Sequence, residues 1–229
     1  IPVEGVLQPN TSISSSPPLN QGWINGPVTL TFNSTELPPS NNPNPPTGQL
    51  APTVASISYQ ATGANIPSPA SGTITGSTGA IAIPATVEGT TTITYHALDS
   101  VGTLESITTN NSADSTVSSS FPTLTFNVDL TPPAISGPTL TTTTPTLGQS
   151  VTASYSCSDG SSGVVFCGPT GSSNIGPTGN TGTLASAVNT SAPGTFTFAV
   201  NARDLAGNTA GPSSVQYTVA QGTTSTTLA

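Results

Sequence analysis

The chain has 229 residues, with Lys and Arg together numbering one, Asp and Glu nine, His one, and a formal net charge of −8. Charged residues make up 4% of it, against about a quarter in an ordinary domain. Such a surface cannot neutralise phosphates, so nucleic acid and anionic membranes are excluded as partners. The length suits two cores of about 100 residues each.

Disorder is argued against by the apolar third of the chain, because Thr, Val and Ile stand in short runs between Gly, Pro, Asn and Ser. That pattern reads as strands between turns and gives an all-β fold class. The start at Ile1 carries no charged n-region and apolar core, which fits a mature secreted chain or an excised fragment. No run approaches the roughly 18 apolar residues of a membrane span, so membrane insertion is not expected.

In chain order, residues 1–19 read as an extended N-terminal segment. Within it IPVEGVLQ (1–8) is β-compatible and set off by SSSPPLNQG (14–22). Ile1, Val3, Val6 and Leu7 would be its contacts if the strand were handed to a neighbouring subunit. A first domain is expected over 20–131, with strands near 27–34, 54–60, 79–83, 90–98 and 121–129. It is interrupted by the loop PPSNNPNPPTGQLAP (38–52), too rich in Pro and Asn to hold a ladder. The Pro132-Pro133 step restricts the joint to a second domain over 132–220. Strands are expected there near 149–157, 163–167, 181–186, 194–203 and 213–220. GPTGSSNIGPTGNTG (168–182) breaks its Gly period at Ser172-Ser173 and reads as a loop, not collagen. Residues 221–229 form a Thr-rich tail.

An internal repeat organises these elements. GTTTITYHALDSVGT (89–103) superimposes on GTFTFAVNARDLAGN (194–208), and PVTLTFNSTE (27–36) on SVTASYSCSD (150–159). Ile93, Tyr95 and Ala97 answer to Phe198, Val200 and Ala202, so they form an inward face. His96 answers to Asn201, and Leu98 to Arg203; these positions face outward and are not kept between copies. Arg203, the only cation apart from His, therefore reads as a solvated strand residue. What is kept is Asp-x-x-Gly: Asp accepts turn N–H groups and Gly supplies positive φ, so DLAGN is first a hairpin turn.

GWINGPVTLTF (22–32), TITYHALDSVG (92–102) and the junction VDLTPPAI (128–135) resemble bacterial immunoglobulin-like repeats of the Big type and the hyaline-repeat-like kind. YSCSDGSSGVVFC (155–167) with NARDLAGN (201–208) resembles the related disulfide-bearing variety. The resemblance touches most of residues 20–220 and implies two tandem immunoglobulin-like β-sandwiches of about seven strands each. Two Cys in a chain that looks exported favour a disulfide over free thiols. The resemblance implies that Cys157 and Cys167 are joined. The first copy has Ser34 where Cys157 stands and Ile57 near the place of Cys167, so only the second domain should be cross-linked.

The residues offer little chemistry. A hydrolase triad would have to be built on the single His, on an outward face, with no G-x-S-x-G elbow. Nine scattered acids give no glycosidase pair, no second ligand pair accompanies the Cys for zinc, and a phosphate loop lacks its Lys. The chain is accordingly expected to be no enzyme and to need no cofactor. Calcium is the one ion entertained, with Asp99, Asp129, Asp159 and Asp204 at turns or domain ends as ligands, although no D-x-D-x-D-G run is present. Asn10, Asn33, Asn110 and Asn189 begin N-x-S/T sequons, which would carry glycans only in a source that adds them.

Three functions fit. The first is an extracellular or cell-surface structural protein, a subunit of a filament or surface assembly that polymerises with itself through strand-edge contacts. The alternative is a surface adhesin or stalk fragment projecting a binding domain towards a host cell, another cell or glycans. An accessory carbohydrate-binding module of a secreted hydrolase ranks last: there are one Trp and four Tyr, and Trp23 reads as a core-capping lead-in to a strand.

Overall fold

A computed structural model describes residues 7–37, 52–105, 121–172 and 179–222. Among the described residues there are fourteen strands and no helix. The chain divides into two compact units, Ile1–Val128 and Asp129–Ala229, so the division falls slightly before the expected 131/132.

Unit 1 is a sandwich of two sheets. One runs β1 (Gln8–Ser16), β3 (Val28–Leu37), β6 (Thr78–Ile83). The other runs β2 (Trp23–Ile24), β8 (Thr123–Val128), β7 (Gly89–Asp99), β4 (Val54–Gly63), β5 (Ser71–Thr75). All pairs are antiparallel except β2 with β8, where Trp23 lies opposite Asn127. Between the sheets lie Leu30, Phe32, Ile57, Ile93 and Ala97, all fully buried. Phe32 stands edge-on to Tyr95 at 5.7 Å and stacks on Tyr59 at 6.2 Å, so one ring from β3 knits both central strands of the facing sheet.

Unit 2 repeats the plan with β9 (Ala134–Leu140), β10 (Thr152–Ser158) and β12 (Leu184–Ala187) facing β11 (Val164–Pro169), β13 (Gly194–Asp204) and β14 (Thr209–Val219). Its core joins Tyr155, Cys157, Val164, Cys167, Val200 and Ala202. The duplication is visible in register as well as in sequence. Ile57 lies opposite Ala97 as Cys167 lies opposite Ala202, and Ser34 opposite Thr11 as Cys157 opposite Ile135. The Cys157–Cys167 bond is formed, with Cα atoms 6.0 Å apart. It ties the two sheets of unit 2 together.

One expectation is corrected. Residues 8–16 do not stand apart from the first domain: they are β1, paired with β3 from Gln8 opposite Leu37 to Ser16 opposite Thr29. The inward set is Pro9, Thr11, Ile13 and Ser15, so the alternation that marks a half-buried strand is carried by a proline, two hydroxyl residues and one isoleucine. Of the expected exchange contacts, Leu7 directly precedes β1, while Ile1, Val3 and Val6 lie outside the described residues. The described strands number eight in unit 1 and six in unit 2, in keeping with about seven each.

β9 was hidden by its Gly137-Pro138 step. The strand survives because it is an edge strand with a bulge there, its register slipping opposite Ser154–Ser156. Gly137 has φ +88°, and a Cβ on it would come within 2.8 Å of the Ser154 carbonyl oxygen, so no other residue fits. Gly211 repeats the device in edge strand β14, with φ +104°.

Candidate cation site

β13 ends in the turn that the repeat keeps. The Asp204 amide donates to the Asn208 carbonyl at 3.1 Å, and Asp204 Oδ1 accepts the amides of Gly207 and Asn208, each at 2.7 Å. Asn208 Nδ2 donates to Asp204 Oδ2 at 2.8 Å and to the Asp129 carbonyl at 2.9 Å. The asparagine thus holds the start of unit 2 against the turn. Asp129 Oδ1 accepts Thr131 N at 3.1 Å and its Oδ2 accepts Ser162 N at 3.0 Å. Asp159 Oδ1 takes the amides of Ser161 (3.1 Å) and Gly163 (2.7 Å).

These turns bring one carboxylate oxygen each from Asp129, Asp159 and Asp204 within 4.8 Å of one another. Asp129 and Asp204 are buried and Asp159 is half-buried. The single Arg stands next to Asp204 in sequence, but the strand alternation turns it to the exposed face. No cationic side chain therefore answers the cluster. Burial raises the Asp204 carboxyl above its ordinary pKa, hydrogen bonds from Asn208 and Gly207 oppose this, and the charge of Asp129 adds to the rise. An all-oxygen set of this kind suits a hard divalent cation. Calcium takes six to eight oxygens, so three side-chain ligands would leave the remainder to backbone and water. The amide donors already engaged hold the three acids together without a metal.

Of the four acids singled out in sequence, Asp99 is not in this cluster. It caps its own turn in unit 1, its Oδ1 accepting Val101 N at 2.9 Å and Thr103 N at 2.6 Å. Sequence reading missed Glu36 and Glu105. The signal for Glu36 was present, since it stands at the position of Asp159 in the repeat. Glu105 is buried, and its partner Thr11 lies 94 residues away, so no local pattern revealed it.

The remaining candidates stay apart from this cluster. His96 lies on the outer face of β7 with its ring 4.1 Å from Phe121. Arg203 is exposed and lines a shallow depression with Phe166, Asn201 and Thr209. Asn10, Asn33 and Asn189 are exposed, whereas Asn110 lies outside the described residues. Among the described residues no helix is long and apolar enough to cross a membrane.

No family model and no curated protein matches the chain. Among solved structures it is similar to the fibronectin(III)-like modules of Clostridium thermocellum CbhA, at 12% identity over 92% of this chain and 95% of that one, with a TM-score of 0.46. It is also similar to the Yersinia pseudotuberculosis adhesin InvE, at 17% identity over 95% of this chain and 61% of that one, with a TM-score of 0.26. Neither likeness assigns a function; the sandwich fold rests on the strand pairing itself.

Proposed function

We propose that the chain is a non-enzymatic structural module of an extracellular or cell-surface assembly, built by edge contacts between copies of its sandwiches. The observation that carries this reading is β1. It is nine residues long, stands at the edge of its sheet and contains no charged residue. Proteins that stay monomeric commonly blunt such edges with Lys, Pro or bulges; here Pro9 is the only such residue within the strand, and Glu105 occupies the edge amide of Thr11, which leaves the amides of Ile13 and Ser15 for a neighbour. The outer faces point the same way, with Thr hydroxyl pairs in place of charges: Thr92 with Thr125 and Thr195 with Thr218, both at 3.1 Å. With so few charges, two copies repel each other weakly.

Sedimentation velocity and electron microscopy of the native chain test the reading. Ser12→Lys with Ser14→Lys, both on the exposed face of β1, should abolish higher assemblies while leaving the melting temperature nearly unchanged. A single monomeric species at every concentration would sink it.

A further inference from the structure

The repeat places an acidic pair at the same two positions of both units: Asp159 and Asp204 in unit 2, Glu36 and Asp99 in unit 1. The pairs are not satisfied alike. In unit 2 the acids take backbone amides from the surrounding turns. In unit 1 only Asp99 Oδ1 is so engaged. Asp99 Oδ2 and both carboxylate oxygens of Glu36 are buried without a hydrogen-bond partner, and Asp99 as a whole is 2% exposed. Ser34 Oγ, two residues before Glu36 on the same inward face of β3, is likewise buried and unpartnered.

Buried carboxylates without donors are costly and rare. Burial raises the pKa of Glu36, and the charge of Asp99 raises it further, so the two acids feel each other. Unit 1 contains no Lys or Arg side chain to place between them. A divalent cation from solution would satisfy the bare oxygens.

We propose that Glu36 and Asp99 form a divalent cation site of the calcium class in unit 1, separate from the Asp129–Asp159–Asp204 cluster. The donors are hard oxygens only, which disfavours zinc and copper. Calcium accepts a bidentate carboxylate in an irregular shell, whereas magnesium demands a near-ideal octahedron and keeps its water. Two carboxylates place the affinity in the range of extracellular modules, about 10⁻⁴–10⁻³ M. The site is independent of the assembly proposed above.

The test is a calcium titration of the full, chelator-treated, ¹⁵N-labelled chain followed amide by amide. The amides of Val101 and Thr103, which donate to Asp99, should shift with saturation near about 1 mM, and magnesium should act more weakly. Glu36→Gln should weaken that response at least ~tenfold. Among the described residues no hydrogen bond reaches the Glu36 carboxylate, so this variant leaves the Asp99 turn intact; a melting temperature in chelator that does not fall verifies it. Three results would overturn the proposal: no shift at these amides up to about 10 mM calcium, an unaltered response in Glu36→Gln, or shifts confined to Ser161, Gly163, Gly207 and Asn208 in unit 2.

Discussion

The carboxylate of Glu105 grips Thr11 twice: its Oε1 accepts the Thr11 amide and its Oε2 the Thr11 hydroxyl, each at 2.6 Å. Oε2 also accepts the Ala97 amide at 2.9 Å. Thr11 belongs to β1 and Ala97 to β7, so a buried acid ties the two sheets of unit 1 together. Unit 2 ties its own sheets with Cys157–Cys167. Ser34 and Ile57 stand at the corresponding positions of unit 1, and the carboxylate clamp does there what the covalent bond does in unit 2. Hydrogen bonds to a charged group contribute about 1.5–3 kcal/mol each, offset in part by the desolvation of the charge. Glu105→Ala should therefore destabilise unit 1 by about 2–4 kcal/mol, and Glu105→Gln by less because one acceptor remains. Urea unfolding followed by fluorescence of Trp23, the single Trp and a residue of unit 1, measures this. An unmoved midpoint would show that the clamp contributes nothing.

The covalent tie makes the opposite prediction about location. Cys157–Cys167 closes a loop with a sequence separation of 10, for which chain entropy gives roughly 2.5–3 kcal/mol. Replacing both cysteines with Ala should lower the calorimetric transition of unit 2 and leave the Trp23-reported transition of unit 1 in place. A fall in both would mean that the units do not unfold independently.

The contrast between β7 and β1 shows what the sequence made legible. β7 announces itself because Ile93, Tyr95 and Ala97 alternate with less apolar positions and recur in β13, so its inward face follows from the pattern alone. β1 buries Pro9 and Thr11 on the same principle, but a proline reads as a strand breaker and a threonine is polar, so the signal vanishes. β9 was lost to a Gly-Pro step that breaks a central strand and is harmless at an edge, and edge position is a tertiary fact. The acid trio was half legible. Each Asp could be placed at a turn, but which turns meet depends on how β11 and β13 pair, with Val164 opposite Asp204. That pairing sets the Asp159 turn beside the Asp204 turn and leaves Asp99 in the other unit.

Alkaline stability should be governed by tyrosine. The lone Lys-or-Arg position is Arg203, so no lysine titrates, and arginine stays charged. Tyr217 is buried and donates its hydroxyl to the Asn189 carbonyl at 2.7 Å. Burial raises its pKa, and Tyr95 is raised by burial and then by the charge of Glu105. A folded pKa above the unfolded value of about 10 gives stability that is complete below that pH and is lost as pH rises towards the folded value. The melting temperature should hold to about pH 9 and fall beyond about pH 10 in step with tyrosinate absorbance. Tyr217→Phe should blunt the fall, and an alkaline transition untouched by both Tyr217→Phe and Tyr95→Phe would refute the assignment.

Arg203 offers a test that needs no label. It is the chain's only tryptic site, and its side chain is exposed. Its backbone is not free, however, because β13 is the central strand of its sheet, with Arg203 opposite Phe166 on one side and Thr209 on the other. Cleavage requires that ladder to open, so native cutting should track the population of the open state. The folded chain should resist trypsin, and the urea-unfolded chain should give fragments 1–203 and 204–229. Arg203→Gln should abolish that cut and change stability by no more than about 0.5 kcal/mol, as expected of a solvated surface residue. Native cleavage as fast as in the unfolded chain would place the end of β13 outside the sheet, and a large loss of stability in Arg203→Gln would give the arginine a structural role that its exposure denies.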